Sequence, residues 1–469
     1  MKRNIIYTIL MTIAPTLCVA QSEVLTLEAC QQMALQNNVE IAKSQTQVEQ
    51  LGYDIKSYKS NFYPRLNLMA FDMYSTAHGD FTISGGHLPI YTLNPATGSY
   101  VPNVTPNADG SYTLNQYADF PDQKMEYKVK NIFMGGLMLT QPIYMGGKIT
   151  TAYNMSLIGR DMAELNVSLT KDEILVKTGE AYFLAVKAKE MIEVAKKYKT
   201  LLEELGRIVD NAVKNGLKTR NDKMKVQVKL NEAELNLTKA ENAYRLARMN
   251  LCHYIGRPLT SDIEVASQDY TKETVFHPNT DKTINISGRQ EYELLNKKVE
   301  LAEKQIALTR SDYLPNVVLT GGVMYANGAE LAGKKLIDGA SASIGIGVKI
   351  PLLTFGENTN KIRAAKTKHQ IARLEQEDLN EKMMLEQQQA LNNVEEAEKI
   401  VTFTTSALTQ AEENMRLSKQ QYEVGTETLS DHLEAQALWQ NCYASKIDAI
   451  CQYQLAWLKY QKSKGEIGR

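Results

Sequence analysis

Apolar positions along this chain recur at two different periods, and the periods occupy separate stretches. Residues 147–214 run without a proline, although Gly159, Gly179 and Gly206 fall inside them. Within this stretch Tyr198, Leu201, Leu205, Ile208 and Ala212 follow one another at steps of three, four, three and four, the a/d seam of a coiled coil. The pattern predicts a single helix of roughly 67 residues, about 100 Å long at 1.5 Å per residue. A seam of that length needs a partner of similar length. Asn215-Gly216-Leu217 ends the helix, because glycine just past the last turn is a common terminator. Asp222 then opens a return helix, in which Leu230, Ala233, Leu237, Ala240, Tyr244, Ala247, Leu251 and Tyr254 keep three-four spacing. The two seams predict an antiparallel helical hairpin.

The flanking stretches complete a unit. Residues 25–61 read as a helix stopped by Phe62-Tyr63-Pro64, where proline forbids continuation. A strand follows from Arg65 to Tyr74. Residues 75–130 have loop composition, rich in Gly, Pro, Asn and Asp with scattered Tyr, and residues 131–143 read as a second strand. After a polar segment at 257–287, read as a linker or small side domain, the plan repeats. Lys59-Ser60-Asn61-Phe62-Tyr63-Pro64 is echoed by Arg310-Ser311-Asp312-Tyr313-Leu314-Pro315, Gln141-Pro142-Ile143 by Ile350-Pro351-Leu352, and residues 213–222 by 422–431. Pro142 to Gly216 is 74 positions, and so is Pro351 to Gly425. Two helices that must reach the same tip should share a length. The return helices end near Gly256 and Gly465, too short to climb back alone, so each long helix is expected to be matched by two shorter ones placed end to end. The organisation expected is a leader at 1–20, a first repeat at 21–256, the segment 257–287 and a second repeat at 288–469.

The second period is that of strands. Ala342, Ile344, Ile346, Val348 and Ile350 alternate with Ser341, Ser343, Gly345, Gly347 and Lys349, an apolar-out, small-polar-in pattern suited to lipid on one side. Val317, Leu319, Val323 and Tyr325 repeat it less cleanly. Four strands do not close a barrel, and an open edge in lipid leaves backbone groups unsatisfied. Several chains must therefore share one; twelve strands from three chains give an open lumen.

Charge and cysteine content change the picture only at the margins. Lys plus Arg number 53 against 54 Asp plus Glu, interleaved rather than clustered, which gives no support for a nucleic-acid partner. Lys2 and Arg3 precede an apolar run and Cys18-Val19-Ala20, a leader with cleavage expected before Gln21 and hence export. No later stretch is apolar enough for a spanning helix. Of the remaining cysteines, Cys442 and Cys451 lie on roughly opposite faces of one predicted helix; whether Cys30 and Cys252 pair is left open. The six histidines lack metal-ligand spacing, and Asp431-His432 stands as an isolated pair. Gly146-Gly147-Lys148 resembles the end of a phosphate loop but lacks its first glycine and the following hydroxyl residue. No nucleophile-base arrangement is present.

The duplicated Tyr/Phe-x-Pro joints, the strand-to-helix joints Gln141-Pro142-Ile143-Tyr144 and Ile350-Pro351-Leu352-Leu353, and the tip from Tyr422 to Asp431 give the mature chain a resemblance to the TolC-like outer membrane efflux protein family. The resemblance implies a mainly α fold with a small β part: long antiparallel helical hairpins forming a coiled-coil tunnel in the periplasm, and four strands contributed to a trimeric, twelve-stranded transmembrane barrel. It implies a passive exit duct of a tripartite efflux or type I secretion system, with no chemistry and no cofactor. The partners implied are a periplasmic adaptor, an inner-membrane pump and outer membrane lipid. At matching positions Asp431 and Glu434 would supply acidic rings of a periplasmic gate, and Tyr422 would hydrogen-bond Asp222. Gly216, Leu217, Gly425 and Thr426 would face the adaptor. One position departs: Glu427 stands where the best-known member has an arginine that helps latch the tip. The competing reading is a periplasmic coiled-coil adaptor or structural stalk without a pore, which has no use for lipid-facing hairpins. The exported substrate is not encoded legibly.

Overall fold

The structure, a computed structural model, describes residues 23–266 and 283–468. The leader expected at 1–20 and much of the 257–287 segment lie outside the described residues. The described residues divide into two compact units, each drawn from both sequence repeats: those up to Asp54, with Met155–Lys304 less its undescribed part and Lys366 onward, form one, and Ile55–Asn154 and Gln305–Ala365 the other.

In chain order the elements are β1 (Glu23–Leu25), α1 (Leu27–Asn37), α2 (Val39–Ser60), β2 (Arg65–Tyr74) and β3 (His78–Ile83). There follow β4 (Gly86–Pro89), β5 (Tyr91–Leu93), β6 (Tyr100–Pro102), β7 (Val104–Pro106), β8 (Tyr112–Leu114), β9 (Tyr117–Phe120) and β10 (Gln123–Met145). The rest of the chain forms α3 (Lys148–Lys214), α4 (Arg220–Tyr254), β11 (Ile263–Val265), α5 (Gln290–Ser311), β12 (Asn316–Leu331), β13 (Lys334–Lys349), α6 (Glu357–Glu423) and α7 (Leu429–Lys464). The long helices α3 and α6 each have 67 residues, and the return helices α4 and α7 have 35 and 36. The duplicated proline-to-glycine spacing is thus a duplicated helix length.

The helical unit is held by a continuous apolar core from α1, α3, α4, α6 and α7. The return seam on α4 lies where the spacing put it, with Ala233, Ala247 and Leu251 buried and Leu230, Leu237, Ala240, Tyr244 and Tyr254 half-buried. On α3 the seam is rotated by one residue. Tyr198 and Leu205 are buried as read, but the intervening positions are Leu202 and Val209 rather than Leu201 and Ile208, and Ile208 is 37% exposed. Leu201-Leu202 and Ile208-Val209 are adjacent apolar pairs, so periodicity alone did not choose between the two faces. Val226 of α4 approaches α3 where Gly206 presents no side chain.

The first helix is broken, in contrast to the single helix read over 25–61. Asn38 adopts an extended backbone (φ −71°, ψ 130°) between α1 and α2. Its Oδ1 accepts from the Glu40 amide at 2.9 Å, starting α2 as an N-cap side chain does, while its Nδ2 donates to the Tyr254 carbonyl at the end of α4, also at 2.9 Å. α4 therefore ends against the start of α2. In the second repeat α7 closes at Gly465 against the backbone of Gly288, just before α5. Beside the first junction β1 pairs in parallel with β11, Leu25 opposite Val265. This pairing gives part of the 257–287 segment a strand rather than a plain linker.

In the other unit the sheet order is β13-β12-β10-β2, all antiparallel, with β3 also paired to β10. The second strand begins at Gln123, well before residue 131. The expected 75–130 loop is instead built of β3, three small two-stranded sheets (β4–β9, β5–β6, β7–β8) and the start of β10. Its Gly, Asn and Pro residues mark the turns between Tyr- and Thr-bearing strands. At the joints below the sheet, the Gln141 amide donates to the Phe62 carbonyl at 3.0 Å, and Lys148 at the start of α3 pairs with Asp312 at 2.7 Å.

Candidate functional site

Two features in separate units stand out: one face of the sheet, and the double tip of the helical hairpins. On the sheet, the registers carry the alternation of single strands into rows that cross all four. Leu68, Leu137, Val323 and Ala342 stand in one row, and Leu66, Leu139, Gly321 and Ile344 in another. Further along, Leu319 meets Ile346 and Val317 meets Val348. The rows between are small or polar apart from Met138: Asn67, Met138, Gly322 and Ser343, then Arg65, Thr140, Thr320 and Gly345. The apolar face is bare in a single chain, Leu68 being 76% exposed and Ile344 81%. An apolar band of this kind on one side of antiparallel strands is the outward surface of a membrane barrel. Among the described residues no helix is long and apolar enough to cross a membrane, and no strand pairs with the outer edge of β2 or of β13.

The two tips are built alike. At the first, Gly216 takes φ +73° while Leu217 N donates to the Ala212 carbonyl at 2.8 Å and Gly216 N to Val213 at 3.0 Å. At the second, Gly425 takes φ +81° while Thr426 N donates to Gln421 at 2.9 Å and Gly425 N to Tyr422 at 3.2 Å. Both are Schellman closures, in which a left-handed residue lets two orphan carbonyls of the last turn be satisfied. Each return helix then opens on a threonine. Thr219 Oγ1 accepts from the Asp222 amide at 3.2 Å while Asp222 Oδ2 accepts from the Thr219 amide at 3.1 Å. Thr428 Oγ1 likewise accepts from the Asp431 amide at 3.3 Å and donates to Asp431 Oδ2 at 2.7 Å. The Thr219 bonds hold the Asp222 carboxyl below the usual carboxylate range. Leu217 is left 76% exposed.

The expected Tyr422–Asp222 hydrogen bond is not made within the chain. Asp222 is engaged by Thr219, and the buried Tyr422 hydroxyl has no hydrogen-bond partner among the described residues. Tyr422 instead stacks on His432 at 5.4 Å between centroids, with Lys218 over its ring at 4.9 Å; burial, then the nearby Asp222 charge, pushes its hydroxyl pKa up. Asp431 and Glu434 are exposed on α7, and Glu434 borders a groove of about 540 Å³ between α4 and α7 with Met224, Val228, Leu433 and Ala437. Glu427 is half-buried and forms no latch within the chain; its Oε2 has no hydrogen-bond partner among the described residues.

The centre of this tip is His432, which in the sequence stands out only as half of the isolated pair Asp431-His432. His432 is only 3% exposed, its Nδ1 2.9 Å from Ser418 Oγ and its Nε2 3.0 Å from the Gln436 amide nitrogen. Burial holds its pKa below the usual imidazole range, with Lys419 acting in the same direction and Glu427 and Glu423 opposing it. The signal was present: His432, Gln436, Trp439 and Tyr443 continue the three-four spacing of the α7 seam, which places two polar residues in a core stripe.

The family model for outer membrane efflux proteins matches residues 31–257 and 295–466, most of the chain. The chain belongs to the outer membrane efflux protein family. As a member it is an outer membrane channel, and the bare sheet face is where such a protein meets lipid. The chain is similar to outer membrane protein TolC of Vibrio cholerae, 19% identical over 77% of this chain and 82% of that one. It also matches the alkaline protease secretion protein AprF of Pseudomonas aeruginosa, 22% identical over 50% of this chain and 49% of the relative. Among solved structures the CmeC outer membrane channel of Campylobacter jejuni shares the fold with a TM-score of 0.69 at 18% identity, over 94% of this chain and 85% of that one.

Proposed function

We propose that three copies of this efflux family member close a twelve-stranded barrel in the outer membrane and continue it as a helical duct in the periplasm. Substrates would pass outward passively, from a pump in the inner membrane joined through a periplasmic adaptor. The observation that carries this reading is the four-stranded sheet with one apolar face and two unpaired edges. Edges of that kind in lipid are satisfied only by other strands, and twelve strands give an open lumen whereas four do not close. A stalk or adaptor without a pore would gain nothing from such a face.

In this reading the Schellman tips at Gly216-Leu217 and Gly425-Thr426 meet the adaptor, and Asp431 and Glu434, with Tyr422 and Asp222, belong to the periplasmic gate. Three copies of an exposed acidic pair around a narrow opening would attract cations and repel one another. Matches to both a TolC protein and a protease secretion protein leave efflux and protein secretion as the two uses of one duct.

The test is direct. The full-length chain, expressed with its leader, should fractionate with outer membranes, run as a heat-labile trimer and conduct ions in planar bilayers. Recovery in the soluble periplasmic fraction without conductance would refute the channel assignment.

A further inference from the structure

The 75–130 insert is not needed to close a barrel, yet its first strand lies on the edge where copies would meet. β2 pairs with β10 from Arg65 opposite Thr140 up to Tyr74 opposite Asn131. β3 pairs with the same edge of β10, from His78 opposite Lys128 to Ile83 opposite Gln123. Between them the Val129 amide donates to the Ala77 carbonyl at 2.9 Å, so pairing continues across the short break. β2 and β3 therefore run in one direction as one composite edge.

The opposite edge of the sheet is β13. It has 16 residues, all exposed, against the 10 of β2, which are likewise all exposed. Laid on β2 alone, β13 would overhang by the six residues that β3 has. The direction also fits: β2 and β13 bound a sheet of four alternating strands, so β13 of one copy meets β2 of the next antiparallel. The heights agree as well. β2 begins opposite Thr140, whereas β12 begins lower, at Asn316 opposite Met145, and β13 ends beside that start, at Lys349. A stagger of this sense is what tilted strands in a closed barrel require, and it carries the upper end of β13 towards β3.

We propose that β13 of one copy hydrogen-bonds along β2 and then on to β3 of the next, so that the insert is seated on a neighbouring copy of this chain. The inference rests on the trimeric barrel proposed above and adds to it that β3, the root of the insert, is part of the joint between copies. The insert then acts as a clasp above the lipid, where an unpaired edge would otherwise face water.

Cysteine pairs placed across the joint in the full-length chain in outer membranes test it. An upper pair joins Asp80→Cys in β3 with Lys335→Cys in β13; a lower pair joins Asn67→Cys in β2 with Gly347→Cys in β13, the two being in one antiparallel register once the one-residue shift between β2 and β3 is counted. Each is treated with a short thiol crosslinker and compared with its single-cysteine variants on denaturing gels. Covalent dimers and trimers from both pairs, absent from the single variants, are the expected result. Ladders from the lower pair with none from the upper would overturn the role of β3 and leave the barrel standing. Absence of ladders from both would remove the shared barrel and this inference together.

Discussion

At the residue scale the tips are the most heavily specified part of the chain. Gly216 and Gly425 have left-handed backbones, and a Cβ at either would meet no atom within 4 Å. Alanine there costs about 1 kcal/mol through backbone conformation alone. Leu217→Ser, by contrast, should leave thermal stability unchanged and reduce export if the exposed tip docks on a partner; unaltered export would take Leu217 out of that surface. Thr428→Ala removes a helix cap and should lower stability by about 1 kcal/mol in thermal or denaturant unfolding. Replacing Asp431 and Glu434 together with alanine should weaken cation selectivity in bilayer recordings. Unchanged selectivity would place both side chains away from the conducting path.

His432 gives the tip a pH dependence whose sign follows from its burial. Its folded pKa lies below the ordinary value near 6.5, so in the window just below that value the unfolded chain binds the proton and the folded tip does not. Stability is therefore full above the ordinary pKa and falls as pH drops through it, by at most about 1.4 kcal/mol per pH unit for one group. Protection factors of the amides around Ser418 and Gln436, taken relative to the intrinsic exchange rate at each pH, should fall below about pH 6.5, and His432→Gln should flatten that response. An equally steep response in the variant would take His432 out of the effect.

At the element scale the α3–α7 packing depends on Gly179. A Cβ there would lie 2.4 Å from Leu458 Cδ2, so Gly179→Val overpacks the contact and should cost about 1–3 kcal/mol. Adding Leu458→Ala should recover part of the loss if that contact is the cause; additive losses in the double variant would point elsewhere. Helices and strands differed in how far the sequence disclosed them. The equal lengths of α3 and α6 were legible from two prolines and two glycines, and β2 was read residue for residue, because turn chemistry and alternation are local signals. The break at Asn38 was not, since it is held by the Tyr254 carbonyl far along the chain, and neither was the three-residue pairing of β1 with β11. The choice of Leu202 and Val209 over Leu201 and Ile208 also depends on the partner helix, which no window of one strand of sequence contains. In the candidate site, Asp222 was legible as the opening of its helix, but the Thr219 and Thr428 caps that Asp222 and Asp431 answer were not, and His432 was read only as half of an isolated pair because its partner Ser418 lies on the preceding helix.

For the whole molecule, the cysteines are the simplest global reading. Cys30, Cys252, Cys442 and Cys451 form no disulfide among the described residues, which answers the question left open for Cys30 and Cys252. Burial pushes the Cys451 thiol up to about 12, so it stays protonated and unreactive at neutral pH. Stability thus comes from packed helices rather than covalent links, and reductant should leave the melting of the purified channel unchanged.

The bare sheet has a consequence for biogenesis. In the proposed trimer the edges of β2 and β13 in a newly exported copy have no partner until siblings arrive. Membrane entry and assembly should then be coupled, because a solitary copy leaves Leu68, Ile344 and their neighbours open to water. The yield of finished ducts should rise more steeply than expression itself.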